Sequence, residues 1–396
     1  MPSWVVRVWA TAALALSSVA LRLLAAGLDP IVSAVAYGAA VVAAAFLLAW
    51  AAEAAQVDIS ASLAVAVLAL VAVLPEYAVD LYFAFTAGHR PEYAQYAAAN
   101  MTGSNRLLIG LGWPMVVLVF AWAGRRGRPA PSGVCLEPRQ RVELAYLAVA
   151  GVYAFVIPLR GRLTLLDAGV LLGIFVAYGL RVAKEERGEP ELVGVAASLE
   201  TLPTGLRRSA VAGLLLAAAL SVLAAAKPFA ESLVQTGRLL GIDEFILVQW
   251  VAPLASEAPE MVVAALFASR GNGSAGIGTL LSSKVNQWTL LVGSLPVAHL
   301  LGGGGTHLQL DARQNAEFLL TAAQTVLGIA LLIDLRFGRR EAVALLLLFA
   351  LQPAFPQQGV RIGFAAAYLL LAGYILMRRR GLIGPLLRAL VKEGAA

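Results

Sequence analysis

Long apolar runs, interrupted at short intervals by charge or by Pro and Gly, dominate the chain from end to end. They occupy about residues 4–26, 31–54, 60–86, 94–123, 141–159, 163–183, 207–235, 244–269, 275–302, 315–336, 340–355 and 361–378. A helix needs roughly 20 apolar residues to cross the hydrocarbon core of a bilayer, so the pattern predicts an all-α polytopic membrane protein of about twelve spans. The first run carries Arg7 and Arg22, is long for a signal-peptide core and shows no clear cleavage site. It is therefore expected to remain as a transmembrane helix.

Composition sharpens this picture. Of 396 residues, 60% are hydrophobic and 14% charged, against about 45–50% and about 25% in soluble domains. That excludes a water-soluble enzyme or a disordered chain and leaves no room for a sizeable soluble domain. The formal charge of +6 does not point to nucleic acid, because the basic residues sit in short loops between apolar runs. Arg125, Arg126, Arg128, Arg139 and Arg141 share one loop; Lys184, Arg187, Arg207 and Arg208 another; Arg336, Arg339 and Arg340 a third; Arg378, Arg379 and Arg380 follow the last run. With twelve spans all four clusters fall on one side, predicted to be the cytoplasm, with both termini inside and the chain in the cell membrane. The residues Leu386 to Val391 are expected to form a short amphipathic helix on that surface.

Enzymatic signatures are absent from the sequence: no serine elbow, no HExxH, no paired aspartates of an intramembrane protease. His89, His299 and His307 lie near span ends without metal-ligand spacing, Gly302 to Gly305 reads as a flexible turn, and Cys135 has no partner cysteine. No enzyme activity and no resident cofactor are expected. The expected partners are the lipid bilayer and inorganic cations, and a monomer and a homo-oligomer are equally compatible with the sequence. Charge inside a membrane is expensive, so function is sought among the acidic and basic residues within the apolar runs.

An internal repeat brings several of them together. Residues 72–76 read Ala-Val-Leu-Pro-Glu and residues 256–260 read Ser-Glu-Ala-Pro-Glu, each within a run. Gly103-Ser104-Asn105 and Ser282-Ser283-Lys284 follow in the next runs, with offsets of 184 residues for the Pro-Glu pairs and 179 for the serine motifs. The first copy enters its leading span from the cytoplasm and the second from outside, so the repeats are inverted. The expected organisation is an extra N-terminal helix over 1–30, a first repeat over 31–183 and a linker over 184–206. A second repeat over 207–355 and an extra C-terminal helix with a tail over 356–396 complete it, with about five spans in each repeat. The motifs fall at about 70–113 and 250–296. Proline removes a backbone hydrogen bond and frees a carbonyl one turn earlier, so each Pro-Glu pair is expected to break its helix near midplane and offer oxygen ligands beside a carboxylate.

A Pro-Glu helix followed by a serine-motif helix, duplicated in inverted orientation, resembles the α-repeats of the cation/calcium antiporter superfamily, whose best-known members are sodium/calcium exchangers. The resemblance covers about residues 31–336. It implies that Glu76 and Glu260 are the central acidic ligands, which in that family bind calcium and sodium in turn. It further implies that Ser104 and Ser283 are helix-start serines and that Ser256 is a hydroxyl ligand. Departures from the family pattern are Ala72 and Val73 at hydroxyl positions, Leu108 four residues after Ser104, Glu257 at a hydroxyl position and Gln287 four residues after Ser283. Several sodium ligands are thus missing.

Two basic residues enter the same region, Arg106 and Lys284. If Glu76, Asp80, Glu257 and Glu260 share one cavity with them, the formal sum is −2, which suits one divalent cation or two monovalent ones. Arg106 and Lys284 then act as built-in counter-charges. Lys284 is one of only four lysines against 26 arginines, and a lysine can exchange its proton where an arginine effectively cannot. Asn100, Asn105, Thr279 and Asn286 are further candidate ligands, or hydrogen bonds between helices. The expected function is alternating-access antiport of calcium or another divalent cation against sodium or protons. The alternatives are a locked member in which Lys284 and Arg106 salt-bridge the carboxylates, and a cation channel.

Overall fold

The computed structural model describes residues 2–24, 27–58, 74–124, 132–184 and 192–391. The chain is a bundle of helices joined by short turns, in the order α1 (Ser3–Leu23), α2 (Pro30–Ala55), α3 (Leu74–Ala87), α4 (Ala94–Leu107), α5 (Trp113–Gly124), α6 (Gln140–Tyr153), α7 (Val156–Arg160) and α8 (Leu165–Val182). The second half continues with α9 (Gly194–Glu200), α10 (Thr204–Leu240), α11 (Glu244–Ser269), α12 (Gly273–Asn286), α13 (Val292–Leu301), α14 (Ala312–Leu332), α15 (Arg339–Ala350), α16 (Gln358–Arg378) and α17 (Ile383–Arg388). Among the described residues, nine helical stretches are long and apolar enough to cross a membrane. The protein is an all-α polytopic membrane protein built from two inverted repeats. The start of the 60–86 window and the residues Arg125, Arg126, Arg128 and Arg187 lie outside the described residues.

Two small antiparallel ribbons tie the halves together. Strand β1 (Gly133–Cys135) pairs with β4 (Arg336–Gly338), with Val134 opposite Phe337. Strand β2 (Arg162–Thr164) pairs with β3 (His307–Gln309), with Leu163 opposite Leu308. β1 and β2 are separated by one crossing, α6–α7, and β3 and β4 by another, α14, so the ribbons lie at opposite ends of the bundle. Counterpart strands, β1 with β3 and β2 with β4, are 174 residues apart, so the pseudo-two-fold that exchanges the repeats also exchanges the ribbons. Strands β2 and β3 lead into helices with capped starts: Thr164 and Asp167 form a reciprocal cap on α8, and Asp311 and Gln314 one on α14. Such caps satisfy the orphan N–H groups of a helix start.

The end that carries β1 and β4 is rich in arginine contacts. Arg379 donates to the carbonyls of Ala330 and Leu331 and pairs with Asp334 at 3.0 Å. Arg207 chelates Asp58 at 2.7 Å and 2.9 Å, and its hydrogen bond is the main reason the Asp58 carboxyl is held down at about 2. The opposite end holds the Arg313–Asp243 and Arg238–Glu244 pairs. The short helix α17 covers Ile383–Arg388, so it begins three residues before the expected surface helix and ends at Arg388, with turns over 389–391 and Leu386 buried.

Two expectations about local structure need correction. The second Pro-Glu pair does not break its helix: α11 runs unbroken from Glu244 to Ser269 through Pro253 and Pro259. Each proline removes only one hydrogen bond, and tight packing keeps the helix continuous. Gly103 of α4 sits so close to α11 that a Cβ there would lie 1.9 Å from the Gln249 carbonyl oxygen. The irregular backbone lies instead in the serine-motif helices, as π turns at Leu108–Gly112 and Gln287–Leu291. These turns are 179 residues apart, the same offset as the serine motifs, and π turns frequently accompany functional sites. The window at 340–355 is likewise not one uniform span: α15 has 12 residues and is followed by a 3₁₀ turn at Gln352–Ala354.

Candidate cation site

Glu76 lies in the first turn of the described part of α3, and Glu257 and Glu260 lie one turn apart on α11. Glu76 neighbours Glu257, Ser104 and Gln287. The Gln287 amide donates to Glu257 Oε1, and Glu260 neighbours Ser283. Three carboxylates, two serine hydroxyls and one amide therefore converge where α3 and α4 of the first repeat meet α11 and α12 of the second. Glu76 and Glu257 are buried, whereas Glu260 is half-buried. Leu108 and Gln287, the counterpart positions four residues after each serine, are the first residues of the two π turns. Only the second supplies a polar group.

Many of these oxygens find no hydrogen-bond donor in the protein. Glu76 Oε1, Glu257 Oε2, Glu260 Oε2, Ser104 Oγ, Ser283 Oγ, Asn286 Oδ1 and Gln287 Oε1 are all buried and unpartnered. Buried polar atoms are nearly always paired, so a cluster of exceptions points to a bound ion or water. Among the described residues no group of three or more His, Cys, Asp or Glu forms a metal cage by itself. A cation held here draws hydroxyl and amide oxygens into its shell, as a hard divalent ion does.

Lys284 occupies the symmetry centre of this arrangement. Its Nζ donates to Asn105 Oδ1 at 2.6 Å and to the Asn105 carbonyl at 3.1 Å, and it lies 4.6 Å from the centroid of the Trp288 ring. Asn105 and Lys284 are themselves 179 residues apart, so each is the other's repeat counterpart, and they meet on the pseudo-two-fold. Asn105 Nδ2 is spent on the Met101 carbonyl at 2.8 Å. Among the described residues Lys284 makes no salt bridge to a carboxylate.

Other candidates fall in different places. Ser256 turns its hydroxyl back onto the carbonyls of Ala252 and Pro253, and Thr279 onto that of Ala275. Asp80 and Asn100 lie side by side one turn away from Glu76 and Ser104. Ala72 and Val73 lie outside the described residues.

Arg106 does not join the carboxylate cluster as a counter-charge. It lies two residues beyond Ser104, on the other side of α4, and pairs with Glu317 of α14 at 2.7 Å. Glu317 is shared with Arg361 of α16 at 2.5 Å. Arg106 also donates to Gln352, whose amide reaches the Tyr368 hydroxyl, and it stacks over Trp250 at 5.4 Å. The locked arrangement, with Lys284 and Arg106 both bridging the carboxylates, is not formed among the described residues. Glu317 and Arg361 were not singled out by sequence, because each sits near the edge of an apolar run and reads as a span-end charge. Breaking a buried ion network leaves an uncompensated charge at a cost of about 3–5 kcal/mol. Glu317→Gln is accordingly expected to lower the melting temperature of the detergent-solubilised protein sharply, while Glu317→Asp retains most of it.

The fold defines a polytopic membrane protein of two inverted repeats with a cluster of buried carboxylates between them. The sodium/calcium exchanger protein family matches residues 29–183 and 210–355, and the chain belongs to that family, within the cation/calcium antiporter superfamily. A crystal structure of the H⁺/Ca²⁺ exchanger CAX superposes with a TM-score of 0.93 at 41% identity, covering 98% of each chain. Native YfkE gives a TM-score of 0.59 at 16% identity over 93% of this chain and 99% of that one. The sodium-calcium exchanger NCX_Mj gives 0.55 at 19% over 82% and 99%. The last two show the shared fold. No curated protein matches the sequence.

Proposed function

We propose that the protein exchanges calcium for protons by alternating access, with Glu76, Glu257 and Glu260 as the acidic ligands and Ser104, Ser283 and Gln287 completing the shell. The observation that carries this reading is the convergence of buried, unpartnered oxygens from both repeats on one point. Calcium is here the transported substrate.

Charge supports the choice of counter-ion. With Arg106 committed to Glu317, Lys284 is the one cation counted among the described residues against Glu76, Asp80, Glu257 and Glu260, a formal sum of −3 rather than −2. One divalent cation leaves a single negative charge, which a proton neutralises. Lys284 places a fixed amine beside Asn105 on the pseudo-two-fold, and the missing hydroxyls and Leu108 remove sodium ligands. The 41%-identical structure is that of an H⁺/Ca²⁺ exchanger. Among the described residues neither Lys284 nor Arg106 bridges Glu76, Glu257 or Glu260, which favours a working exchanger over a locked one. The inverted repeats favour alternating access over a continuous pore. The arginine-rich end is assigned to the cytoplasm, which places both termini inside the cell membrane. The activity requires no chemical catalysis and no resident cofactor.

Uptake of radiolabelled calcium into proteoliposomes tests the reading. A pH gradient is expected to drive uptake at zero sodium, and a sodium gradient at fixed pH is expected to drive none. Sodium-driven uptake overturns the proton assignment, and single-channel currents without any counter-gradient overturn the exchanger itself.

A further inference from the structure

The central carboxylates are not the end of the acidic path. α3 runs from the arginine-rich end towards the opposite end, and α4 runs back. Asp80 lies four residues after Glu76, and Asn100 four residues before Ser104, so both are displaced by about 6 Å in the same direction. The two helices thus carry two rungs, Glu76 beside Ser104 and, nearer the opposite end, Asp80 beside Asn100. Asp80 is 0% exposed and Asn100 1%. Both carboxylate oxygens of Asp80 and both polar atoms of the Asn100 amide lack a hydrogen-bond partner.

The second repeat has no such rung. At the repeat offsets of 184 and 179, Asp80 corresponds to Ala264 and Asn100 to Thr279, and the Thr279 hydroxyl is spent on its own helix. Glu257 adds to the same imbalance. It precedes Glu260 on a helix that runs towards the arginines, so it too is displaced towards the opposite end, and its first-repeat counterpart is Val73. Asp80 and Glu257, the two carboxylates that join the symmetric pair, therefore lie on one side of it.

We propose that Asp80 and Asn100 form a second, one-sided station for the divalent cation, which holds the ion one helical turn from Glu76 when it enters or leaves at the end opposite the arginines. The donors are a carboxylate and an amide oxygen, hard ligands of the kind such ions take. One carboxylate binds more weakly than the central cluster, as a transit station must. The inference rests on the exchanger reading of the central site.

The test measures the KM for calcium separately at each face, in right-side-out and in inverted membrane vesicles. Asp80→Asn is expected to raise the KM at the face opposite the arginines by about tenfold, which is about 1.4 kcal/mol, and to leave the other face unchanged. The interchange Asp80→Asn with Asn100→Asp puts the carboxylate back in the rung from the other helix and is expected to restore most of that loss. An equal change at both faces, no change at either, or an unchanged KM with a shifted pH profile overturns the station, the last by making Asp80 a proton carrier. The unmodified protein in the same vesicles reports on the exchanger reading independently: no exchange there sinks that reading, whereas exchange without a one-sided effect sinks only the station.

Discussion

Glu76→Gln and Glu260→Gln are each expected to abolish calcium binding, measured by titration calorimetry on the solubilised protein. Glutamine keeps the size and one oxygen of glutamate and removes only the charge, so the helices retain their packing. A unit charge lost about 4 Å from another is worth about 4 kcal/mol per unit charge at an effective dielectric near 20, close to a thousandfold in affinity. Without calcium the effect on stability has the opposite sign. Glu76 neighbours Glu257 and lies within electrostatic reach of Glu260, and neutralising one carboxylate of three relieves their repulsion. The variants should therefore melt no lower than the unmodified protein in chelator and lose the stabilisation that calcium confers. Full affinity in either variant shows that the site is elsewhere.

Lys284→Asn is expected to flatten the pH dependence of calcium exchange in proteoliposomes. The ammonium is fully buried and held by Asn105 and the Trp288 ring, so it contributes a positive charge that the carboxylates must balance. Asparagine can still donate to Asn105 but carries neither charge nor an exchangeable proton. Removing the charge changes the site from a formal −3 to −4, which strengthens its attraction for a divalent cation once the carboxylates are ionised. Calcium affinity at high pH should rise as the coupling to pH weakens. An unchanged pH profile removes Lys284 from the coupling.

The fold was legible in the sequence because membrane spans announce themselves by length and apolarity, without tertiary information. The duplicated motif was legible for a similar reason: Pro-Glu and the serine triplets recur at nearly constant offsets, and the structure brings Glu76, Ser104, Glu260, Ser283 and Gln287 to one place. What escaped depended on contacts between distant segments. Arg106 shares a helix with Ser104, and only the helix's angular period and the position of α14 send it to Glu317 instead of Glu76. The unbroken course of α11 through Pro259 is set by packing against α4, which no local rule contains. The π turns carry no clear sequence signal, since Leu108–Gly112 and Gln287–Leu291 share little beyond their place in the repeat.

The contact between Asn105 and Lys284 also constrains ancestry. An assembly of two identical chains places the same residue on both sides of its symmetry axis. Two lysines at this meeting point would set ammonium groups a few ångströms apart, a repulsion of roughly 5 kcal/mol even at a moderate dielectric, while two asparagines would leave no fixed cation. The present pair is closed to two identical chains and open to a single polypeptide whose halves have been free to drift apart. A single chain with two diverged halves can thus carry one lone lysine at the middle of this transporter, where a symmetric pair of chains would carry two or none.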